Sequence, residues 1–278
     1  MQLGIRLHDI EEGSLEHRLK VARNQGFACG HLALAKVIEE YSVADGALTP
    51  GLAMHLKKLF SKYDIDVAVL GCYLNLADPD EVRLKETQHR YLANIRFASM
   101  LGCGVVGTET GAPNAEYRFE EACHSDEAFE IFVKNFTPIV RYAEQMGVIV
   151  AIEPVCRHIV YSPKRARQLL DTIGSPNLQI ILDPVNLLDV WNYKEQREVV
   201  GEAIELLGED VAVVHIKDFF VKDGKMTETA AGLGEMDYTA LMKFMKEKKP
   251  YIHATLENTS PDNAVAARMH IQKLWGQA

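Results

Sequence analysis

The sequence predicts an α/β protein in which eight strand–helix units close into a single (β/α)8 barrel. Short apolar runs, typical of buried parallel strands, alternate with stretches whose apolar residues recur at helical spacing. No linker or shift in composition interrupts this alternation, so residues 1–278 are expected to form one domain. The length of 278 residues also suits one such barrel, which needs about 250.

The strands are predicted from the apolar runs, and the helices from the periodic stretches between them. The predicted strands are Leu3–Leu7, Phe27–Leu34, Ile65–Leu70, Gly104–Thr108, Val148–Ile152, Leu178–Leu182, Val211–Ile216 and Ile252–Leu256. The predicted helices are Ser14–Gln25, Gly51–Lys62, Asp80–Leu101, Ser125–Met146, Pro163–Thr172, Lys194–Leu207, Asp237–Lys246 and Pro261–Trp275.

The connections between these elements are expected to differ in length. Four helices are predicted to begin where a capping side chain precedes a proline. The four pairs are Thr49-Pro50, Asp78-Pro79, Ser162-Pro163 and Ser260-Pro261. The last two pairs predict short loops after the fifth and eighth strands. The stretch Phe219–Gly234 contains three glycines and is predicted to be a long loop, a lid or a substrate-facing segment.

Composition and charge disfavour several classes of protein. The net charge of −9 argues against a general binder of nucleic acid or of anionic membranes. The N-terminus has no apolar signal segment, and no stretch approaches 18 uninterrupted apolar residues, so no membrane span is expected. The five cysteines are odd in number and form no CxxC pair, which favours reduced thiols in a cytoplasmic protein.

The string Gly102-Cys-Gly104-Val-Val-Gly107 matches the GxGxxG pattern of dinucleotide-binding proteins. That fingerprint must follow a strand and open a helix, so that the helix N-terminus meets the pyrophosphate. Here it follows a predicted helix and enters a predicted strand, which is the reverse order. We therefore expect these glycines to cap the helix and to allow tight packing, not to bind a nucleotide.

Four successive predicted strands end on a residue that can bind a metal ion, namely Glu153, Asp183, His215 and Glu257. Carboxylate oxygens and an imidazole nitrogen suit a hard or borderline divalent cation. The C-terminal ends of barrel strands meet at the mouth where barrel active sites lie. The sequence therefore predicts one divalent-metal site built from these four side chains.

Each of the four has a structural alternative when taken alone. Glu153 can pair with a lysine or cap a helix, and Asp183 can make a turn of its own in Asp-Pro-Val-Asn. His215 can be a hydrogen-bonded core histidine, and Glu257 can be a carboxylate at a helix N-terminus. The conjunction favours the metal site, because four converging buried polar groups would be costly without a cation.

Other polar residues near predicted strand ends are candidates for substrate contact. Those favoured are His31, Glu109, His158, Asn186 and Lys217. For each of them a solvated or salt-bridged loop residue is the alternative. Glu153 and Glu257 close strands that are separated around the ring, so they are also assigned as the two proton-transfer groups.

The motifs AIEPV, LDPVN, VVHIKD, GLGEMDYTAL and TLEN, in this order, resemble the sugar phosphate isomerase/epimerase family of xylose isomerase-like TIM barrels. LGCYLNLADPD and GCGVVGTETGAPN extend the resemblance through the N-terminal half. The similarity to D-tagatose/psicose 3-epimerases implies one divalent ion, most often Mn²⁺, with Mg²⁺, Co²⁺ or Zn²⁺ as alternatives, held by Glu153, Asp183, His215 and Glu257. Many relatives carry a histidine three residues after the metal aspartate, where this chain has Asn186.

The expected function is a cytoplasmic isomerase or epimerase of carbohydrate metabolism that acts on a sugar or sugar phosphate. The metal would polarise the carbonyl and stabilise the enediolate, while two carboxylates move the α-proton. A metal-dependent lyase or dehydratase acting on an inositol- or glycoside-derived keto sugar is the main alternative, because α-proton removal also starts an elimination. An endonuclease IV-like repair enzyme and a non-catalytic sugar-binding barrel rank lower. No nucleic-acid or membrane partner is expected, and a homo-oligomer remains open.

Overall fold

The computed structural model describes all 278 residues and contains a closed barrel of eight parallel strands. In chain order the strands are β1 (Gln2–Arg6), β2 (Cys29–Leu32), β3 (Asp66–Gly71), β4 (Val105–Thr108), β5 (Ile149–Ile152), β6 (Leu178–Leu182), β7 (Val211–Ile216), β8 (Asp218–Lys222), β9 (Lys225–Thr229) and β10 (His253–Leu256). All except β8 and β9 belong to the barrel, and β1 closes it by pairing in parallel with both β2 and β10. The predicted fold class is confirmed.

Helices follow the barrel strands and cover their outer faces. They are α1 (Leu15–Asn24), α2 (Leu34–Val37), α3 (Pro50–Lys62), α4 (Glu81–Leu101), α5 (Asp126–Met146), α6 (Pro163–Ile173), α7 (Gln196–Leu207), α8 (Thr239–Lys248) and α9 (Ala264–Gln277). The predicted helices are present with ends that differ by a few residues, and the short α2 was not predicted. No helix is both long enough and apolar enough to cross a bilayer. The five cysteines are free and buried.

Two of the four predicted proline-linked helix starts are confirmed. Thr49 accepts a hydrogen bond from the third residue after it at 3.2 Å, and Ser162 does the same at 3.2 Å. The helix expected after Asp78 is capped by Asp80 instead. The helix expected at Pro261 begins only at Ala264, because the intervening residues form a turn.

Two of the three glycines of the GxGxxG string, Gly102 and Gly107, have the capping and packing roles expected of them, whereas a Cβ at Gly104 would meet no atom within 4 Å. Gly102 ends α4 with φ of +82°, a left-handed conformation that favours glycine. A side chain at Gly107 on β4 would meet Val69 and Ile181, at 2.6 and 2.7 Å, because these two residues reach it from β3 and β6 inside the barrel. The string therefore serves helix capping and the barrel interior.

The segment Phe219–Gly234 is not the irregular loop that was predicted. Residues up to Thr229 form an antiparallel hairpin of β8 and β9, a two-stranded sheet separate from the barrel. Asp223 and Gly224 make the two-residue turn with φ of +51° and +71°, a pairing typical of tight hairpins. The Asp-Gly dipeptide was a readable hairpin signal, but the glycine content was interpreted as looseness. The prediction of a long loop was wrong for the hairpin residues, and only residues 230–234 of the segment lie outside the hairpin.

Candidate metal centre and substrate cavity

The four predicted metal ligands meet at the C-terminal mouth of the barrel. Glu153, Asp183 and Glu257 directly follow β5, β6 and β10, and His215 lies near the end of β7. All four are buried, with at most 5% of each residue exposed. One ligand atom from each lies within 4.8 Å of the others. Parallel strands bring their carboxyl ends to one edge, so a separation of many residues in sequence becomes a contact in space.

His215 lies at the centre of the cluster. Its Nδ1 is 3.2 Å from Glu153 Oε1 and 3.2 Å from Glu257 Oε1. Burial would lower the pKa of His215, but the charges of Glu153 and Glu257 outweigh it and raise the pKa to about 9. The raised pKa favours a protonated imidazole between these two carboxylates.

The pKa values of the Asp183 and Glu257 carboxyl groups are shifted in opposite directions. Burial raises the pKa of Asp183 to about 7, although the charge of Lys217 partly opposes the rise. Burial acts in the same direction on Glu257, but His215, Lys217 and Arg6 hold the pKa of that carboxyl at about 2. Glu257 therefore stays ionised. A positive charge added beside Asp183 would stabilise the ionised form of that carboxyl and lower its pKa.

The residues present fit a divalent ion. Asp183 Oδ1 accepts hydrogen bonds from the backbone N–H groups of Val185 and Asn186, but its buried Oδ2 has no hydrogen-bond partner. Such an orphaned oxygen is costly unless something binds it. Lys217 Nζ lies 3.4 Å away, at ion-pair distance. Three carboxylates and one imidazole form the donor set that Mn²⁺, Mg²⁺ and Zn²⁺ accept.

Asn186 links two charged members of the site. Its Nδ2 donates to Glu153 Oε1 at 2.7 Å, and its Oδ1 accepts from Lys217 Nζ at 2.6 Å. Glu153 Oε2 receives only the hydroxyl of Tyr73, at 3.4 Å. Because both amide ends of Asn186 are engaged, this residue positions Glu153 and Lys217, and it leaves Glu153 Oε2 as the less restrained oxygen.

His31 is a buried side chain without a hydrogen-bond partner. Both of its ring nitrogens are unpaired, and the residue is only 2% exposed. The ring stacks between Tyr73 and His215, with centroids 5.6 and 5.3 Å away. Gly71 makes room for it, because a Cβ at Gly71 would lie 2.6 Å from His31 Nε2. A ligand in the cavity would supply the missing partner.

Glu109, Tyr117 and His158 form a second polar group at the edge of the cavity. Glu109 Oε2 accepts from the Tyr117 hydroxyl at 3.1 Å and lies 3.7 Å from His158 Nδ1. Burial, followed by the charge of Glu153, raises the pKa of Glu109 to about 7. Burial lowers the pKa of His158 to about 4. Tyr117 has φ of +53°, an uncommon conformation for a bulky residue.

A cavity of about 690 Å³ opens above the metal cluster. Glu153, Glu257 and all five predicted substrate-contact residues line it, namely His31, Glu109, His158, Asn186 and Lys217. The cavity also receives residues that sequence reasoning did not favour for substrate contact. These are Arg6, His8, Tyr73 and Glu228, with Tyr117 behind Glu109. Tyr73 follows β3 and had a readable strand-end position, whereas Glu228 reaches the cavity only because the hairpin folds back.

A closed barrel with a buried acidic cluster under a polar cavity at its C-terminal mouth has the layout of barrel enzymes that act on small molecules. The family model described as xylose isomerase-like TIM barrel matches residues 19–274. This chain belongs to that family. No match was found among curated proteins.

Solved structures share the fold over the full chain. A D-tagatose 3-epimerase-like protein has a TM-score of 0.77 at 18% identity and covers 100% of this chain and 98% of its own. An IOLI protein with a bound zinc atom has a TM-score of 0.76 at 18% identity, covering 100% and 99%. The probable 3-DHS dehydratase AsbF from Bacillus anthracis has a TM-score of 0.74 at 15% identity, covering 99% and 98%. At these identities the likeness shows the fold.

Proposed function

We propose that this protein is a metal-dependent sugar isomerase or epimerase that moves a proton at a carbon next to a carbonyl. The observation that carries the proposal is the convergence of Glu153, Asp183, His215 and Glu257 at the floor of a polar cavity. When bound there, a divalent ion would supply positive charge to the substrate oxygen that becomes negative as the proton leaves. Manganese is the proposed ion, and the D-tagatose 3-epimerase-like neighbour supports a sugar substrate.

The chain's own residues divide the proton transfer between two carboxylates. Glu153 and Glu257 approach the same His215 nitrogen from β5 and β10, on different sides of the ring of strands. One carboxylate takes the α-proton from one face of the substrate, and the other returns a proton at the opposite face or at the neighbouring carbon. Asn186 holds Glu153 at 2.7 Å, and Arg6 Nη1 holds Glu257 Oε2 at 3.4 Å. Both bases are thereby oriented before the substrate arrives.

The remaining cavity residues would bind and orient hydroxyl groups. His31 and His158 each have an unpaired buried nitrogen. A neutral imidazole offers one donor and one acceptor, as a sugar hydroxyl does. We therefore assign His31, Glu109 and His158 to substrate contact, and Asn186 and Lys217 to holding the charged floor.

Elimination is the second candidate, and Glu109 favours it. A carboxyl group with a pKa of about 7 is partly protonated near neutral pH, so it can donate a proton to a departing hydroxyl. Tyr117 fixes Glu109 by donating to Oε2. After α-proton removal by Glu153 or Glu257, such a donor would turn the reaction into a dehydration. The structural neighbour AsbF is a probable dehydratase.

One experiment separates these outcomes. Protein loaded with Mn²⁺ is incubated in D₂O with a panel of ketoses, aldoses, their phosphates and inositol derivatives, and the products are followed by NMR. Solvent deuterium at one carbon of an isomer or epimer supports the proposal. An alkene or enone product with loss of water selects elimination. Absence of both exchange and product across the panel would contradict proton transfer at this site.

A further inference from the structure

The walls of the cavity carry more negative than positive groups. Its carboxylates are Asp45, Glu109, Glu153, Glu228 and Glu257. Its cationic side chains are Arg6, Lys36, Arg90 and Lys217. A bound divalent ion and the three carboxylates that hold it would together carry one negative charge. With the remaining carboxylates and cations of the wall the total charge would be about zero, so a loaded cavity has no excess of positive charge. The binding of an anionic substrate therefore depends on whether the four cationic side chains are free to pair with it.

Three of the four cations are already paired within the protein, namely Arg6, Arg90 and, as described below, Lys217. Arg6 donates to Asp9 at 2.9 Å and to Glu257 at 3.4 Å. Arg90 donates to Asp45 at 3.2 Å. Lys36 has no ion pair, but it is exposed at the rim, where solvent weakens its charge.

Lys217 is the one buried ammonium that faces the cavity, and Glu228 covers it. Glu228 Oε2 lies 3.2 Å from Lys217 Nζ. The same oxygen accepts from Asn258 Nδ2 at 3.1 Å, and Asn258 Oδ1 accepts from Arg6 Nη2 at 3.3 Å. Glu228 is thus held by two partners and reaches Lys217 from the β9 strand of the hairpin, with 41% of its own side chain exposed.

The backbone donors on this side of the mouth are also occupied. Barrel enzymes often bind phosphate with the loops after the last two barrel strands. Here the N–H groups of Phe219, Gly232 and Met236 all donate to the Asp218 carboxylate, at 2.8, 2.9 and 2.9 Å. Asp237 Oδ1 accepts the first N–H of α8, from Thr239 at 3.0 Å. The chain's own carboxylates thus engage these N–H groups in the segment that follows β7.

Three buried imidazoles in the cavity wall also lack hydrogen-bond partners. Buried ring nitrogens of His8, His31 and His158 line the cavity without hydrogen bonds. Such nitrogens pair with hydroxyl groups, which both donate and accept, better than with an anion, which only accepts.

We propose that the site selects an uncharged polyhydroxy ketone over its phosphorylated or carboxylated analogues, and that Glu228 is a specificity-determining residue. The proposal rests on the isomerase or epimerase function proposed above. Glu228 rejects an anionic substrate because its carboxylate both neutralises Lys217 and adds like charge at the mouth. Neutral hydroxyl groups experience no such repulsion and use the free imidazoles.

The test compares matched substrates. Wild-type protein and Glu228→Gln, both loaded with Mn²⁺, are assayed with D-fructose, D-tagatose and the 6-phosphate of each, and kcat/KM is measured. We expect wild type to favour the neutral sugar by tenfold or more, and Glu228→Gln to reduce that preference by roughly tenfold. Glu130→Gln removes the same charge from an exposed position on α5 and is expected to keep the wild-type preference.

Two outcomes would overturn the inference. One is a wild-type preference for the phosphorylated sugar, and the other is an unchanged preference in Glu228→Gln. If no ketose exchanges deuterium or turns over, the proposed function has failed, and specificity is then tested by calorimetric binding to Mn²⁺-loaded protein. Tighter binding of D-tagatose or myo-inositol than of their phosphate esters would support the selection of uncharged ligands. Tighter binding of the esters would overturn it.

Discussion

In the proposed function, Glu153 and Glu257 each combine metal ligation with proton transfer, and substitution of single residues can separate the two roles. Glu153→Gln and Glu257→Gln each keep an oxygen beside the cluster but remove the basic carboxylate. We expect both variants to fold and to retain part of the metal, and each to lose turnover by roughly 10²-fold or more. Metal content and kcat measured on the same preparation distinguish lost chemistry from lost ligation.

Isotope exchange refines the same prediction. A variant that exchanges the substrate α-proton with D₂O but forms no product retains the first base and lacks the second. Glu144→Gln is a suitable control, because Glu144 lies on the outer helix α5 and contacts Arg141 and Ser175. Near-normal turnover in either Gln variant would make that glutamate only a ligand, and Glu109 and His158 would become the groups to test.

Glu109 gives a pH-dependent prediction. Burial raises the pKa of Glu109 from 4.5 to about 7, so the folded protein holds this proton more tightly than the unfolded chain does. Its contribution to stability is therefore present below pH 4.5 and is lost as the pH rises through about 7. Glu109→Gln, which cannot ionise, should be more stable relative to wild type at pH 8 than at pH 5.

The measurement is urea unfolding of both proteins in EDTA at the two pH values. The change in the stability difference should be of the order of 1 kcal/mol or more, since one pKa unit corresponds to about 1.4 kcal/mol. Glu130→Gln provides the exposed control. A difference that does not change with pH, or that changes in the opposite direction, would show that Glu109 is not protonated at neutral pH.

The convergence of the four candidate metal ligands could be predicted from sequence because each closes an apolar run, and strand ends meet at one edge of a barrel. The direction of a side chain could not be read in this way. Asn186 was expected to contact substrate, yet both of its amide ends are bound to Glu153 and Lys217. Tyr117 lies nine residues beyond β4 and reaches Glu109 through a backbone conformation that no sequence pattern announced.

At the level of elements, the hairpin of β8 and β9 places Glu228 over the metal floor. Its turn depends on Gly224, whose φ of +71° favours a residue without a Cβ. Gly224→Ala should destabilise the hairpin by about 1 kcal/mol, because the new side chain strains the left-handed conformation. Space is not the cause, since no atom lies within 4 Å of a Cβ placed there.

Hydrogen exchange followed by mass spectrometry checks this effect. Amides of residues 218–229 should exchange faster in Gly224→Ala, while those of β7 keep their protection. Gly201→Ala, in the exposed part of helix α7 and also with free space around it, is the matched control and should be neutral or stabilising. Unchanged protection of the hairpin in Gly224→Ala would show that the turn does not limit its stability.

Elements whose apolar residues recur regularly were predicted, with ends that differ from the structure by a few residues. Elements that depend on local turns were missed or misplaced. The long helices α4 and α5 display repeated inward-facing positions and terminate at glycines in the left-handed region. The helix after Ser260 was placed three residues early, because the proline there belongs to a turn that only the tertiary structure reveals. Asp-Gly within residues 219–234 carried hairpin information that the other glycines obscured.

For the whole molecule, eight repeated units were enough to predict a closed barrel, because a parallel sheet of this length buries both faces only by curling shut. Closure then fixes which strand ends face each other. His215 meets Glu153 and Glu257 since β7 lies beside β10 and two strands from β5. The pairing of residues so far apart in the sequence is a property of the topology and not of any local motif.

The same topology connects metal binding to the stability of the entire barrel. Four strands contribute the proposed ligands, so an ion that binds only the folded state should raise the melting temperature. At a free Mn²⁺ concentration of about 100 times Kd the gain in the free energy of unfolding is about 2.7 kcal/mol, or roughly 5–10 °C in melting temperature for a chain of this size.

This stabilisation by Mn²⁺ should increase with pH, because the ion must displace the proton that gives His215 its pKa of about 9. That proton stabilises the metal-free fold below pH 6.5, and its contribution is lost as the pH rises through about 9, so the metal competes best at the upper end of this window. Scanning calorimetry with Mn²⁺ or EDTA at pH 6.5, 7.5 and 8.5 measures the effect, with His215→Gln expected to abolish most of it and the exposed His89→Gln expected to preserve it. A melting temperature that is independent of Mn²⁺ at all three pH values would contradict a Mn²⁺ site built from these four strands.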